Sequence, residues 1–146
     1  YKGDSVATTA HPIVLCDHRQ SWDATKAVVA IAADDPQRAW QFMSHLYEHQ
    51  DAYTQDTFDH KTQQDLRQLM ADLAAKFDPD LNTNDLVQQI SDEEGSVANR
   101  AKASVRYAIS RGVWSTPTVF INGSPVPELE SSSTLSDWQG IIDPML

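Results

Sequence analysis

The sequence predicts an α/β domain, with a strand near its start, a long helical middle, and a β-hairpin followed by one more helix. Three observations carry that expectation. Pro12-Ile13-Val14-Leu15-Cys16 is a short apolar run that gives way to polar Asp17-His18-Arg19-Gln20, the pattern of a buried strand. Between residues 24 and 111, apolar positions recur at intervals of three and four, as core-facing helices require. Thr118-Val119-Phe120-Ile121 is β-branched or aromatic throughout and runs into Asn122-Gly123. That composition suits a strand buried on both faces, and Asn-Gly accepts positive φ at both centres of a type I′ turn.

Residues 1–10 are small and polar without a sustained period, so 1–11 is read as an N-terminal arm and 12–146 as the domain. A helix follows Ser21 or Asp23, where residues 24–33 are alanine-rich with Val28, Val29 and Ile31. Pro36 fits the first turn of the next helix. In it, Ala39, Phe42, Met43, Leu46 and Tyr47 form one stripe, with His45, Glu48 and His49 outside it. Residues 62–77 repeat the pattern with Leu66, Leu69, Met70, Leu73 and Phe77, and Asp78-Pro79 ends it. A short helix with an Asn cap is expected over 84–90. A longer one is expected over 93–111, capped by Asp92, with Val97, Ala101, Val105, Ala108 and Ile109 as its apolar positions. Gly112 sits where a C-terminal glycine cap belongs. Beyond Asn122-Gly123, Ser124-Pro125-Val126 is the return arm. Residues 127–133 form a loop, and Ser136-Asp137 opens a last helix with Trp138, Ile141 and Ile142.

Composition excludes several function classes. The chain has 146 residues, a size at which one core buries roughly two-thirds of the unfolded surface. Its net charge of −10 and lack of a basic run argue against nucleic acid, whose phosphates are bound by Lys and Arg. No apolar stretch reaches the roughly 18 residues a membrane helix needs, so a soluble or peripheral chain with no transmembrane segment is expected. Tyr1 rather than Met opens the sequence, which is therefore expected to be processed or incomplete at its N-terminus. Cys16 is the only cysteine, so a two-cysteine redox cycle within these residues is excluded. Composition leaves the compartment unassigned, with an organelle lumen or extracytoplasmic space favoured over the cytosol.

The stretch Arg111-Gly112-Val113-Trp114-Ser115-Thr116-Pro117-Thr118-Val119-Phe120-Ile121-Asn122-Gly123 resembles the C-terminal half of the DsbA-like branch of the thioredoxin superfamily. Arg19-Gln20-Ser21-Trp22 and Ala39-Trp40-Gln41-Phe42 with Leu46-Tyr47-Glu48-His49-Gln50 are similar to further stretches of that family. The resemblance covers roughly residues 13–142. It implies a thioredoxin-like fold whose helical insertion lies at about 34–111. It also implies that Pro117 is the family's cis proline, that Thr116 precedes it, that Trp114 and Ser115 lead into it, and that the neighbouring backbone pairs with an extended substrate.

The departure from the family pattern is as informative. Family members begin with a strand and a helix bearing Cys-x-x-Cys, and no such segment is present among residues 1–11. Cys16 falls in the expected strand, so the catalytic role is not carried to it. No catalytic residue, metal ligand or cofactor is assigned, and Trp114, Ser115, Thr116 and Pro117 are the candidate partner-binding residues. Cys16 and His18 would share one strand face as a minimal nucleophile pair, but a buried free cysteine beside a strand-end histidine fits better. His45 and His49 stand one helical turn apart, with Glu48 or His60 as third-ligand candidates, and polar-face solvation is the favoured reading.

The expected function is a thioredoxin-fold domain without its own redox centre, a binding or structural module with a protein or peptide partner, as in a subunit of a larger assembly. The alternative is a thiol–disulfide oxidoreductase whose Cys-x-x-Cys lies upstream of Tyr1 or on another chain. A third reading is glutathione-dependent or isomerase chemistry with a serine nucleophile. In a sheet lacking one strand, a free apolar edge needs cover, so the arm or a partner is expected to pack against 13–15 or 118–121.

Overall fold

The computed structural model describes residues 6–33 and 35–146. Residues 1–5 of the expected arm, and Asp34 at the edge of the expected insertion, lie outside the described residues. Contacts within the chain define two compact units: 12–107, and the described part of 1–11 together with 108–146. No helix among the described residues is long and apolar enough to cross a membrane.

The first unit is helical: α1 (Ser21–Ala32), α2 (Pro36–Glu48), α3 (Gln55–Phe58), α4 (Gln63–Phe77), α5 (Thr83–Ser91), and α6 (Ser96–Ser110), whose end passes into the other unit. Local capping chemistry sets most of these boundaries. Asp35 accepts hydrogen bonds from the N–H groups of Gln37 and Arg38, and Pro36 occupies the first turn of α2, where its missing N–H costs nothing. Thr62 and Asp65 form a reciprocal capping box at the start of α4, and Asn82 caps α5 through Asn84 and Asp85. Between α2 and α3, a 3-10 turn spans Gln50–Ala52.

The core forms where α1, α2, α4 and α5 meet. Ala27, Val28, Ile31, Phe42, Leu46, Leu66, Met70, Leu73, Leu86 and Ile90 are buried there, joined by Phe58 of α3. Fully burying one such side chain contributes roughly 1.5–3 kcal/mol. The predicted stripes of α2 and α4 are therefore largely the core faces. Tyr47 departs from this, being 71% exposed: it lies in the last turn of α2, its ring pointing to water. On α6, Ile109 is likewise exposed, while Val97, Ala101 and Ala108 are buried.

A charged cluster ties α1 to α4 and to the turn after α5. Lys26 Nζ is 2.8 Å from Asp23 Oδ1, 2.6 Å from Glu93 Oε1 and 2.5 Å from the Ile90 carbonyl. Arg67 lies 3.4 Å from the same Asp23 oxygen and 3.2 Å from Glu93. Gln63 donates to Asp23 Oδ2, and the Trp22 indole N–H to Glu93 Oε2. Two carboxylates thus face two cations, which is how buried charge is tolerated. The Lys26 side chain is 0% exposed and that of Asp23 2%.

Two sequence expectations fail in this unit. Residues 12–15 form no strand; the sheet among the described residues is the later hairpin alone. Instead the Pro12 carbonyl accepts from Ser104 of α6, and the chain turns back through a hydrogen bond from the His18 N–H to the Leu15 carbonyl. An apolar run becomes a strand only where a ladder partner takes its backbone groups. The α6 helix also begins three residues later than expected. Asp92 does not cap it but closes a turn, accepting from the N–H groups of Glu94 and Gly95, and the first α6 bond runs from Asn99 to the Gly95 carbonyl.

In the second unit, α6 ends in a Schellman arrangement. The Gly112 N–H bonds the Ile109 carbonyl at 2.9 Å, the Val113 N–H bonds the Ala108 carbonyl at 3.1 Å, and Gly112 takes φ +76°. The hairpin pairs β1 (Phe120–Ile121) with β2 (Ser124–Pro125) antiparallel, Phe120 opposite Pro125 and Ile121 opposite Ser124. Asn122 and Gly123 take φ of 50° and 83°, as a two-residue type I′ loop requires. The predicted turn is found, but the predicted four-residue strand is cut to two, and its residues are half-buried. Pro125 has no N–H to donate, so pairing continues only through the Val126 N–H to the Val119 carbonyl. Arg111 spans the hairpin, donating to the Gly123 carbonyl and lying 5.2 Å from the Phe120 ring. The last helix, α7 (Leu135–Ile142), starts in a second capping box, Thr134 with Asp137.

Candidate functional site

Residues 114–118 connect the Schellman end of α6 to the hairpin, and two fixed structures therefore hold the segment at its ends. Within it the Thr116–Pro117 peptide is cis. The Thr118 hydroxyl donates to the Ser115 carbonyl at 2.6 Å, closing a small turn around the proline. Trp114 is 84% exposed, Thr116, Pro117 and Thr118 are exposed, and Ser115 is half-buried. No hydrogen bond among the described residues engages the backbone of Trp114, Thr116 or Pro117. The four candidate residues thus form one contiguous surface: an indole, two hydroxyls and free backbone groups. Such a surface supplies an aromatic anchor and an extended hydrogen-bonding edge. It contains no acid, base or nucleophilic thiol.

Cys16 lies in the turn before α1 and is exposed with a free thiol. Neither the shared strand face with His18 nor the buried cysteine expected from sequence is found, because both depended on a strand that does not form. The Cys16 thiol and the His18 ring have no hydrogen bond or ion pair among the described residues, so no nucleophile pair is assembled.

His45, Glu48 and His49 do converge. One ligand atom from each lies within 4.8 Å of the other two, and the imidazole centroids are 4.4 Å apart. His60, the other third-ligand candidate, is not in the cluster. Near α7, an open depression of about 790 Å³ is lined by Glu128, Glu130, Asp137, Ile141 and Met145 among others; it holds carboxylates and apolar surface without a base or cation.

The charged group built on buried Asp23 and Lys26 with Glu93 and Arg67 is absent from the sequence reading. Its partners stand as far apart as 67 residues in the chain, and each alone reads as a surface charge. For Glu93, burial raises the carboxyl pKa, but hydrogen bonds from Lys26 and Trp22 and the charges of Lys26 and Arg67 outweigh it and hold it below its ordinary 4.5.

In comparison with known proteins, a family described as thioredoxin matches residues 2–144. No curated protein and no solved structure matches the chain.

Proposed function

The chain belongs to the thioredoxin family, and we propose that it is a DsbA-like thioredoxin-fold binding module, holding an extended segment of a protein partner at Trp114, Ser115, Thr116 and Pro117. The observation that carries this reading is the exposure of Trp114, at 84%, beside backbone groups with no partner in the described residues. A large exposed aromatic next to open backbone suits strand-like capture of a peptide, in which main-chain bonds supply affinity and the side chain supplies an anchor. One cysteine in the sequence supports a role without an internal redox cycle, as in a subunit of a larger assembly. Family membership favours a second reading, a thiol–disulfide oxidoreductase whose Cys-x-x-Cys is supplied upstream of Tyr1 or by another chain.

Two measurements test the proposal. Reduced, alkylated insulin B chain carrying a fluorophore is titrated with this chain and followed by anisotropy. Saturable binding is expected, weakened about thirtyfold by Trp114→Ala, the loss of roughly 2 kcal/mol typical of an anchoring aromatic. Equal affinity for the variant sinks the binding loop. Insulin reduction by the same chain is expected to show no turnover, and appreciable turnover refutes the absence of a redox centre.

A further inference from the structure

We propose that His45, Glu48 and His49 form a binding site for a divalent transition ion of the Zn²⁺ type, independent of the Trp114–Pro117 surface. The site stands at the C-terminal end of α2, in the helical unit, where Glu48 is the last helical residue and His49 the cap.

The hydrogen bonds of the two imidazoles supply the first argument. His45 Nε2 is 3.1 Å from the Leu73 carbonyl, and His49 Nδ1 is 2.8 Å from the His45 carbonyl. A carbonyl oxygen only accepts, so each of those nitrogens carries the proton. In the neutral rings this leaves the lone pair on Nδ1 of His45 and on Nε2 of His49. A metal-binding histidine is built the same way: one nitrogen donates to a fixed backbone carbonyl, and the other is left basic and oriented.

Ring placement is the second argument. His45 stacks on Phe42, centroids 6.2 Å apart, and tilts against Phe77 at 5.8 Å. Phe42 is fully buried, so one ligand is held by the core before any ion arrives. Both imidazoles are half-buried, whereas Glu48 is exposed and has freedom to move. Three ligands at 2.0–2.2 Å from a tetrahedral zinc lie roughly 3.4 Å from one another. The three ligand atoms already lie within 4.8 Å of one another, and binding contracts them to that spacing, with the exposed Glu48 side chain the freest of the three to move.

Electrostatics is the third. Helix carbonyls at a C-terminus carry the negative end of the helix dipole and favour a cation there, and Glu48 adds a full negative charge. Imidazole nitrogens with one carboxylate suit zinc and its late first-row neighbours, rather than magnesium or calcium, which take all-oxygen sets. Three protein ligands leave one coordination position to water.

The test titrates the full chain with ZnCl₂ by calorimetry and, in parallel, with CoCl₂ by visible absorption. One ion per chain is expected, with cobalt bands of a low-coordinate nitrogen–oxygen site. Glu48→Ala, at an exposed position, is expected to weaken binding about tenfold and His49→Gln about a hundredfold or more. His18→Gln and His60→Gln are expected to bind as the parent does. Far-UV circular dichroism of the metal-free His49→Gln variant verifies its fold, and Glu48→Ala keeps the proposal testable if that variant unfolds. Absence of saturable binding, unchanged affinity in Glu48→Ala, or loss of binding in His18→Gln or His60→Gln overturns it.

Discussion

Lys26→Met deletes a buried charge while leaving an unbranched apolar stem in its place. In the native unit, Lys26 Nζ lies 2.8 Å from Asp23 and 2.6 Å from Glu93, and donates to the Ile90 carbonyl. Without it, Asp23 is still 2% exposed and keeps Arg67 at 3.4 Å and Gln63 at 3.1 Å, while the Ile90 carbonyl loses its donor. Removing one member of a buried ion pair costs about 3–5 kcal/mol, because the other is left without compensation. Two features place this case at the lower end. Arg67 remains as a counter-charge to Asp23, and Glu93, 43% exposed, turns to water. A loss of about 3 kcal/mol follows, which for a unit of this size lowers the melting temperature by about 15 °C. Urea titration followed by circular dichroism at 222 nm measures it. Coupling Lys26→Met with Asp23→Leu removes the stranded carboxylate as well, so the double variant is expected to recover about 2 kcal/mol of the loss. A single variant within 1 kcal/mol of the parent refutes the reasoning, as does a double variant whose loss equals the sum of the two single ones.

Three further predictions concern stability. The native Glu93 pKa is held below 4.5, so its contribution is fully present above that pH and is lost as the pH falls through the depressed native value; acid titration by circular dichroism should show this loss, with a shallower slope in Lys26→Met. Phe42→Ala empties a fully buried site whose ring lies 5.3 Å from that of Phe77, and is expected to cost about 3–5 kcal/mol in the urea midpoint. Gly112→Ala puts a Cβ where nothing lies within 4 Å but at φ +76°, so a loss of about 1 kcal/mol with an unchanged fold is expected from backbone conformation alone.

What was legible in the sequence was what local chemistry decides. Pro36, Asp78-Pro79 and Gly112 announced helix ends because such ends are settled within a few residues, and Asn122-Gly123 announced its turn for the same reason. Phe42, Leu46, Leu66, Met70 and Leu73 announced the core by their spacing. The strand read at 12–16 failed because an apolar run specifies burial, whereas a strand needs a partner that the run does not name. Asp92 was misread since an aspartate that caps a helix and one that closes a turn use the same side-chain geometry. The Trp114–Pro117 surface was visible as a motif, with Trp114 expected to face a partner, and the fold added the open backbone groups beside it. The Lys26 cluster and the two histidine tautomers depend on carbonyls and carboxylates brought from distant elements, which no local pattern encodes.

Cys16, exposed in its turn before α1, limits what oxidation can make of this sequence. A molecule with several open thiols polymerises into a ladder of branched products; one with a single thiol stops at two. Two copies joined through Cys16 form a symmetric pair in which each contributes the same position, and the link uses up the one cysteine of this sequence. A maleimide carried on that sulfur therefore marks one address within this sequence, at the threshold of the helical unit.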